Sequence, residues 1–278
     1  MLKQICYITE EINFQVSDNW AKNMDKKGIQ FLSASVKVID ENWEKYSTLF
    51  LCEHEDEADH LKDSGYFVII SCTSNNQNEK FDCKFAFAVE NFDEIEPIYY
   101  IKMWQRFMKI PWHIVDTRRC RIREMIPDDL NDLYEIYKDD SITQYMEGLY
   151  EEREKELEYI KKYIENIYSY FGFGTWVIER KKDGRIIGRA GFNYRPEFER
   201  PELGFVIAKP YQKQGYAFEV CKKIITYAWQ DLEFDSIQAL TDPENVASIQ
   251  LLKKLGFIME ESYTIHSNKY HCFIKIKS

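Results

Sequence analysis

The first half of the chain carries short apolar runs separated by polar, helix-prone stretches. Thr48 to Cys52 is nearly all apolar, which predicts a buried strand. Glu55 to Lys62 reads as a helix closing near Gly65, and Tyr66 to Cys72 as a second strand, so the three together predict a βαβ unit. The polar stretch Thr73 to Lys80 is expected to be a loop and Phe85 to Val89 a further strand. Asp93 to Lys109 is expected to be a helix that carries Ile95, Ile98, Ile101, Met103 and Phe107 mostly on one side. Pro111 ends it, and Ile110 to Arg119 forms a short connector.

From Cys120 onward the pattern changes. A strand at 120–125 is followed by a helix after Pro127, with Asp128 and Asp129 favourably placed in its first turn, and by a long charged helix from about Tyr150 to Tyr170. Trp176 to Arg180 and Arg185 to Phe192 flank Lys182-Asp183-Gly184, which predicts a hairpin, and Leu203 to Ala208 is the next strand. After Gly215 a helix follows, with Val220, Ile224, Ile225 and Ala228 at helical spacing. The fold class expected is α/β (α+β): a small α/β domain over 1–118, then a domain over 119–278 with a mixed, mostly antiparallel sheet flanked by helices.

Composition narrows the field. A chain of 278 residues with 45% hydrophobic and 15% aromatic content can fill two cores. No apolar run reaches the roughly eighteen residues of a membrane span, and the start Met1 to Cys6 lacks a secretory signal, so a cytoplasmic protein without membrane contact is expected. Seven scattered cysteines, at 6, 52, 72, 83, 120, 221 and 272, read as reduced core thiols. Cys52, His54 and His60 come nearest to a metal pattern but lack ligand spacing, so no metal is expected. A net charge of -10 disfavours a phosphate-tracking surface, so nucleic acid is not an expected partner.

Gly28 and Gly65 are the only glycines before residue 119, so close backbone approaches concentrate in the second half. There, the sequence Pro210-Tyr211-Gln212-Lys213-Gln214-Gly215-Tyr216-Ala217 lies between a strand and a helix. In such a turn, successive backbone N–H groups and the open helix N-terminus can converge on a pyrophosphate. One glycine turn is common for purely conformational reasons. A second block lies downstream, Asn245-Val246-Ala247-Ser248 continuing to Leu252-Lys253-Lys254-Leu255-Gly256-Phe257. The pair Gln-x-x-Gly-x-Ala and Asn-x-x-Ser-x-x-x-Leu-x-Lys-Leu-Gly-Phe resembles the GNAT acetyltransferase superfamily, in the branch of ribosomal-protein N-terminal acetyltransferases. The resemblance covers roughly 120–275. The stretch Trp104 to Arg123 looks like the joint of bacterial members that carry an additional N-terminal α/β domain.

That resemblance implies acetyl-CoA as co-substrate and direct transfer of acetyl to a primary amine, on a protein N-terminus or a small molecule. It implies that Gln212, Lys213, Gln214, Gly215, Tyr216 and Ala217 wrap the pyrophosphate, and that the backbone of Phe205, Val206 and Ile207 pairs with the pantetheine. Asn245 matches a residue that reaches the pantetheine, although a plain helix cap would look the same. Glu202 matches the glutamate that deprotonates the amine, against an exposed edge carboxylate. Ser248 matches a serine beside the leaving thiolate, against simple packing. Where many relatives keep an acidic tyrosine, this chain has Leu252. The acceptor pocket is implied around Ile142 to Tyr170 and Tyr263 to Tyr270, where Tyr145, Glu147, Tyr150, Glu151, Glu152, Tyr159 and Tyr163 suit a cation or form a solvated face. A second copy of the chain, as a homodimer, is a candidate partner. The alternative function is a non-catalytic acyl-CoA sensor or a partner-docking protein.

Overall fold

The structure, a computed structural model, describes residues 1–9, 14–35, 43–73, 87–266 and 268–277. It divides into two compact units, Met1–Ile110 and Pro111–Ser278. The expected loop after Thr73, the start of the strand expected from Phe85, and Cys83 lie outside the described residues.

The first unit runs β1 (Gln4–Ile8), α1 (Asp18–Lys26), β2 (Gln30–Ala34), β3 (Thr48–Cys52), α2 (Glu55–Asp63), β4 (Phe67–Cys72), β5 (Ala88–Glu90) and α3 (Pro97–Phe107). Among the described residues its strands form one sheet in the order β2-β1-β3-β4-β5, with every pairing parallel. Both faces are covered, which explains the unbroken apolar runs. Leu49 and Leu51 pack with Trp20, Met24, Tyr100 and Trp104, while Phe50 and Cys52 pack with Ala58 and Leu61 on the opposite face. The βαβ unit is β3-α2-β4. The helix expected from Asp93 begins at Pro97 instead, after a short 3-10 turn at Phe92–Glu94. Glu96 before the proline is extended (ψ 142°), as its ring demands, so the two segments cannot be one helix.

The second unit comprises β6 (His113–Asp116), β7 (Cys120–Arg123), α4 (Leu130–Tyr137), α5 (Asp140–Thr143), α6 (Arg153–Tyr163), α7 (Ser169–Phe171), β8 (Thr175–Arg180), β9 (Ile186–Asn193), β10 (Glu202–Ile207), α8 (Tyr216–Gln230), β11 (Ser236–Thr241), α9 (Val246–Lys254), β12 (Ile258–Ile265) and β13 (Asn268–Ile276). Its sheet has the order β12-β13-β11-β10-β9-β8-β7-β6. All neighbours are antiparallel except β10 and β11. Four residues of the expected connector are thus a strand, because His113–Asp116 pairs with β7, and the second unit starts at Pro111 rather than 119.

The long helix expected over 150–170 is broken. After α6 comes a π turn, Ile164–Tyr168, and Gly172 (φ 70°) closes the run. The extra residue in that turn swings Tyr168 into the core, where its hydroxyl donates to the Thr175 carbonyl (2.6 Å) and accepts from the Met125 N–H (3.1 Å). The opposite face of the sheet is closed by α8, whose Tyr227 meets Trp176 edge-on at 5.8 Å, with Phe192 beyond at 6.1 Å.

Trp176 is fully buried, and its indole Nε1 has no hydrogen-bond partner. Trp176→Ala should therefore destabilise the second unit by about 3–5 kcal/mol, whereas Trp176→Phe, which also removes an unmatched donor, should cost clearly less. Urea unfolding of the two variants and the parent chain measures the difference.

Candidate active site

The site begins where β10 and β11 part. β10 pairs with β9 along its whole length, from Glu202 opposite Asn193 to Ile207 opposite Gly188. It meets β11 at a single pair, Glu202 and Gln238, with the Gln238 N–H donating to the Pro201 carbonyl at 3.0 Å. Beyond that pair, among the described residues, no strand lies along the β11-facing edge of residues 203–207, which includes Phe205, Val206 and Ile207. Its backbone groups are free to pair with an extended ligand, as an added strand would.

The chain leaves β10 through a 3-10 turn, Lys209–Tyr211, and enters α8 at Tyr216. Two side chains brace the turn: Gln212 donates to the Ile207 carbonyl (2.9 Å) and Gln214 to the Pro210 carbonyl (2.7 Å). Lys213 (φ 58°) and Gly215 (φ 81°) are left-handed, a conformation natural for glycine but costly for lysine. The first amide to regain an acceptor is Glu219, bonded to the Gly215 carbonyl at 3.1 Å. Among the described residues the N–H groups of 213–218 have no acceptor, which makes a donor-lined cradle at a helix N-terminus.

Arg119 supports the cradle from below and was not identified in the sequence. Its guanidinium pairs with Glu219 (2.7 Å), donates to the Gln214 carbonyl (3.0 Å) and lies 3.9 Å from the centre of the Tyr216 ring. Arg119 and Glu219 are 100 residues apart, so no local pattern announces the pair.

Glu202 stands at the parting point. It is 8% exposed, so it is not an exposed edge carboxylate. Burial pushes its carboxyl above the usual carboxylate range, opposed by the Arg195 guanidinium. Arg195 Nε makes a close ion pair with Oε2 but lies off the hydrogen-bond line, leaving that oxygen without a hydrogen bond. The neighbours in register are polar and covered. Asn193 Oδ1 accepts from Thr175 Oγ1 (3.0 Å) and from the Tyr163 hydroxyl (3.4 Å), and the buried Gln238 has an unmatched Nε2.

Asn245 and Ser248 stand at the start of α9, which follows β11. Asn245 caps the helix, its Oδ1 accepting from the Ser248 N–H at 3.1 Å, and its side-chain amide donors remain for other use. Ser248 is half-buried. Leu252 is 1% exposed and belongs to the core. The expected acceptor segment presents a chain of rings, Tyr150, Tyr159, Tyr163 and Tyr168, with successive centres 6.0, 5.9 and 5.2 Å apart. Glu147, Glu151 and Glu152 are exposed to solvent, whereas the buried Glu156 accepts from the Tyr150 N–H at 3.0 Å. Tyr145 reaches across to the Glu244 carbonyl at 3.5 Å, beside Asn245. The described cysteines are unpaired, and burial pushes the thiols of Cys6 and Cys221 up to about 12. Among the described residues no cluster of His, Cys, Asp or Glu could hold a metal ion, and no helix is long and apolar enough to cross a membrane.

Known proteins share sequence and fold with the second unit. The family profile described as acetyltransferase (GNAT) domain matches residues 119–258. An uncharacterized N-acetyltransferase of Bacillus subtilis (strain 168), YoaA, is 29% identical over 154 residues, covering 53% of this chain and 84% of its own. An uncharacterized N-acetyltransferase of Bacillus licheniformis, p20, is 28% identical over 145 residues, covering 52% and 82%. Among solved structures, the ribosomal-protein-S5-alanine acetyltransferase of Vibrio fischeri shares the fold with a TM-score of 0.51 at 16% identity, over 58% of this chain and 95% of its own. A GNAT-profile match over half the chain makes this protein a member of the GNAT acetyltransferase family, an acetyl-CoA-dependent N-acetyltransferase with an extra N-terminal parallel-sheet domain.

Proposed function

We propose that the second unit transfers acetyl from acetyl-CoA directly to a primary amine, on a protein N-terminus or a small molecule, with Glu202 as general base. The observation that carries this reading is a buried carboxylate, lifted in pKa, at the point where β10 and β11 separate. A base whose pKa is raised towards neutrality suits removal of a proton from an ammonium. The turn Gln212 to Ala217 holds the pyrophosphate through its free N–H groups from Lys213 onward, and the open edge at Phe205 to Ile207 pairs with the pantetheine. Glu202 takes the ammonium proton, directly or through water. The freed amine attacks the thioester carbonyl, the C–S bond breaks, and the second proton of the attacking nitrogen passes through the Ser248 hydroxyl to the leaving thiolate, with Asn245 positioning the pantetheine. A ribosomal-protein N-terminus is one acceptor that fits, by likeness to the Vibrio fischeri structure.

Coenzyme A should raise the unfolding midpoint of the intact protein, because a ligand bound only by the folded state stabilises it. Acetyl-CoA with a broad amine panel should release free thiol, and Glu202→Gln should cut kcat by about 10²–10⁴-fold while leaving the coenzyme A shift intact. Absence of acceptor-dependent thiol release, with the shift retained, would instead favour the acyl-CoA sensor. The buried Leu252, in place of an acidic hydroxyl, keeps that second reading in view.

Two neighbours give sharper tests. Arg119→Ala removes the charged bond to the Gln214 carbonyl and should weaken coenzyme A binding about tenfold by calorimetry. Arg195 lowers the Glu202 pKa that burial raises. With Arg195→Gln that pKa should rise further, so a higher pH is needed to ionise the base and the acidic limb of kcat/KM should move up. An unmoved limb would argue against Glu202 as the titrating base.

A further inference from the structure

Arg189 is a charge that the mechanism leaves unused. It lies on β9 directly opposite Val206 of β10 and Val177 of β8. Positions 189, 191 and 193 share one face of the strand, and Asn193 is the register partner of Glu202, so Arg189 and Glu202 occupy the same face of the sheet. Four residues of strand, about 13 Å, separate Arg189 from Asn193. Val206, across from Arg189, is on the edge where the pantetheine would pair.

The surroundings do not neutralise this guanidinium. Its Nε is sealed from solvent without an acceptor, and the residue as a whole keeps partial exposure. Among the described residues it has no ion pair and no hydrogen-bond acceptor. The groups that bear on it most are the phenols of Tyr137, Tyr159, Tyr163 and Tyr168, none of them a carboxylate. The Tyr163 and Tyr168 hydroxyls are already bonded to the Thr175 backbone. Each buried carboxylate of the unit has another partner: Glu124 with the Trp112 N–H, Asp129 with Arg123, Glu156 with the Tyr150 N–H, and Glu202 with Arg195. An arginine cannot shed its proton to escape burial, and a desolvated cation without a counter-charge is costly.

We propose that Arg189 is the specificity-determining residue of the acceptor site and binds an oxyanion, a carboxylate in the first instance, carried by the molecule whose amine is acetylated. The guanidinium fork matches a carboxylate or phosphate in two parallel bonds, and bound acceptor would supply the missing counter-charge. Its charge would also disfavour polyamines, although the exposed glutamates of this region suit them. The inference rests on the acetyltransferase reading, since it names the acceptor class of that same site.

The test uses the intact protein, acetyl-CoA and matched acceptors: ω-amino carboxylates of graded length, their carboxamides, and the corresponding aminoalkylphosphonates. At one length, an acceptor with an oxyanion should exceed its carboxamide by about 10- to 150-fold in kcat/KM, and the better of the two acids identifies the oxyanion. Arg189→Gln should abolish the preference by lowering the acid alone, and Arg189→Lys should keep part of it. The comparison on the unaltered protein stands even if a variant fails to fold. Equal turnover of acids and carboxamides overturns this inference and leaves the acetyltransferase reading intact. A uniform loss across acceptors in Arg189→Gln, or a raised KM for acetyl-CoA alone, also overturns it. No turnover with any amine overturns both.

Discussion

The second unit depends on one backbone contact, the pairing of Glu202 with Gln238. Among the described residues β10 and β11 are the only parallel neighbours in an otherwise antiparallel sheet, and a parallel pair needs a crossover, here α8. The crossover sends the chain away from the sheet at the end of β10 and brings it back at the start of β11. The strands touch at the start of β10, where Glu202 meets Gln238, and then part. One topological step therefore leaves an unpaired strand edge with a carboxylate at its start, at the base of the fork, and a helix N-terminus with free donors beyond its far end. Arg119, reaching from before β7 to Gln214, Tyr216 and Glu219, fixes the helix start against the rest of the unit.

Electrostatics divides the same face into two regimes. Glu202 is buried beside Arg195, and the balance between desolvation and an off-line ion pair leaves its proton affinity raised. Arg189 is held on the same face with phenols around it and, among the described residues, no ion pair. A carboxylate can answer burial by taking up a proton, whereas a guanidinium cannot, so the two sites ask different things of a ligand. The first can exchange a proton with an amine. The second can only hold a negative group.

Much of this was legible in the sequence where a signal is local. The apolar run Thr48 to Cys52 and the Asp183-Gly184 hairpin are strong short-range patterns, and both elements stand where expected. β1 and β2 were missed because polar residues interrupt their five positions, Gln4 in β1 and Gln30 and Ser33 in β2, where β3 is nearly all apolar, and α1 between them was missed too. The π turn at Ile164–Tyr168 was hidden because Tyr168 is drawn inward by a hydrogen bond to Thr175, a contact that the helical period of α6 does not encode. At the site, the cradle turn and the Asn245 helix were readable as motifs. The roles of Arg119 and Arg189 were not, since each depends on partners, or on their absence, set by strand register rather than by spacing.

Binding and chemistry are built from different materials. The cradle is made of main-chain N–H groups and a strand edge, so substitutions such as Lys213 at a left-handed position alter strain without removing a donor. The chemistry uses individual side chains, and one change suffices to remove a group: where a hydroxyl is common, Leu252 faces the core and can donate nothing. Under the proposed function, acceptor choice falls to side chains on the Glu202 face, because backbone donors recognise any pyrophosphate alike. An unpaired cation such as Arg189 is the strongest discriminator available there, since it rewards one charge and penalises the other.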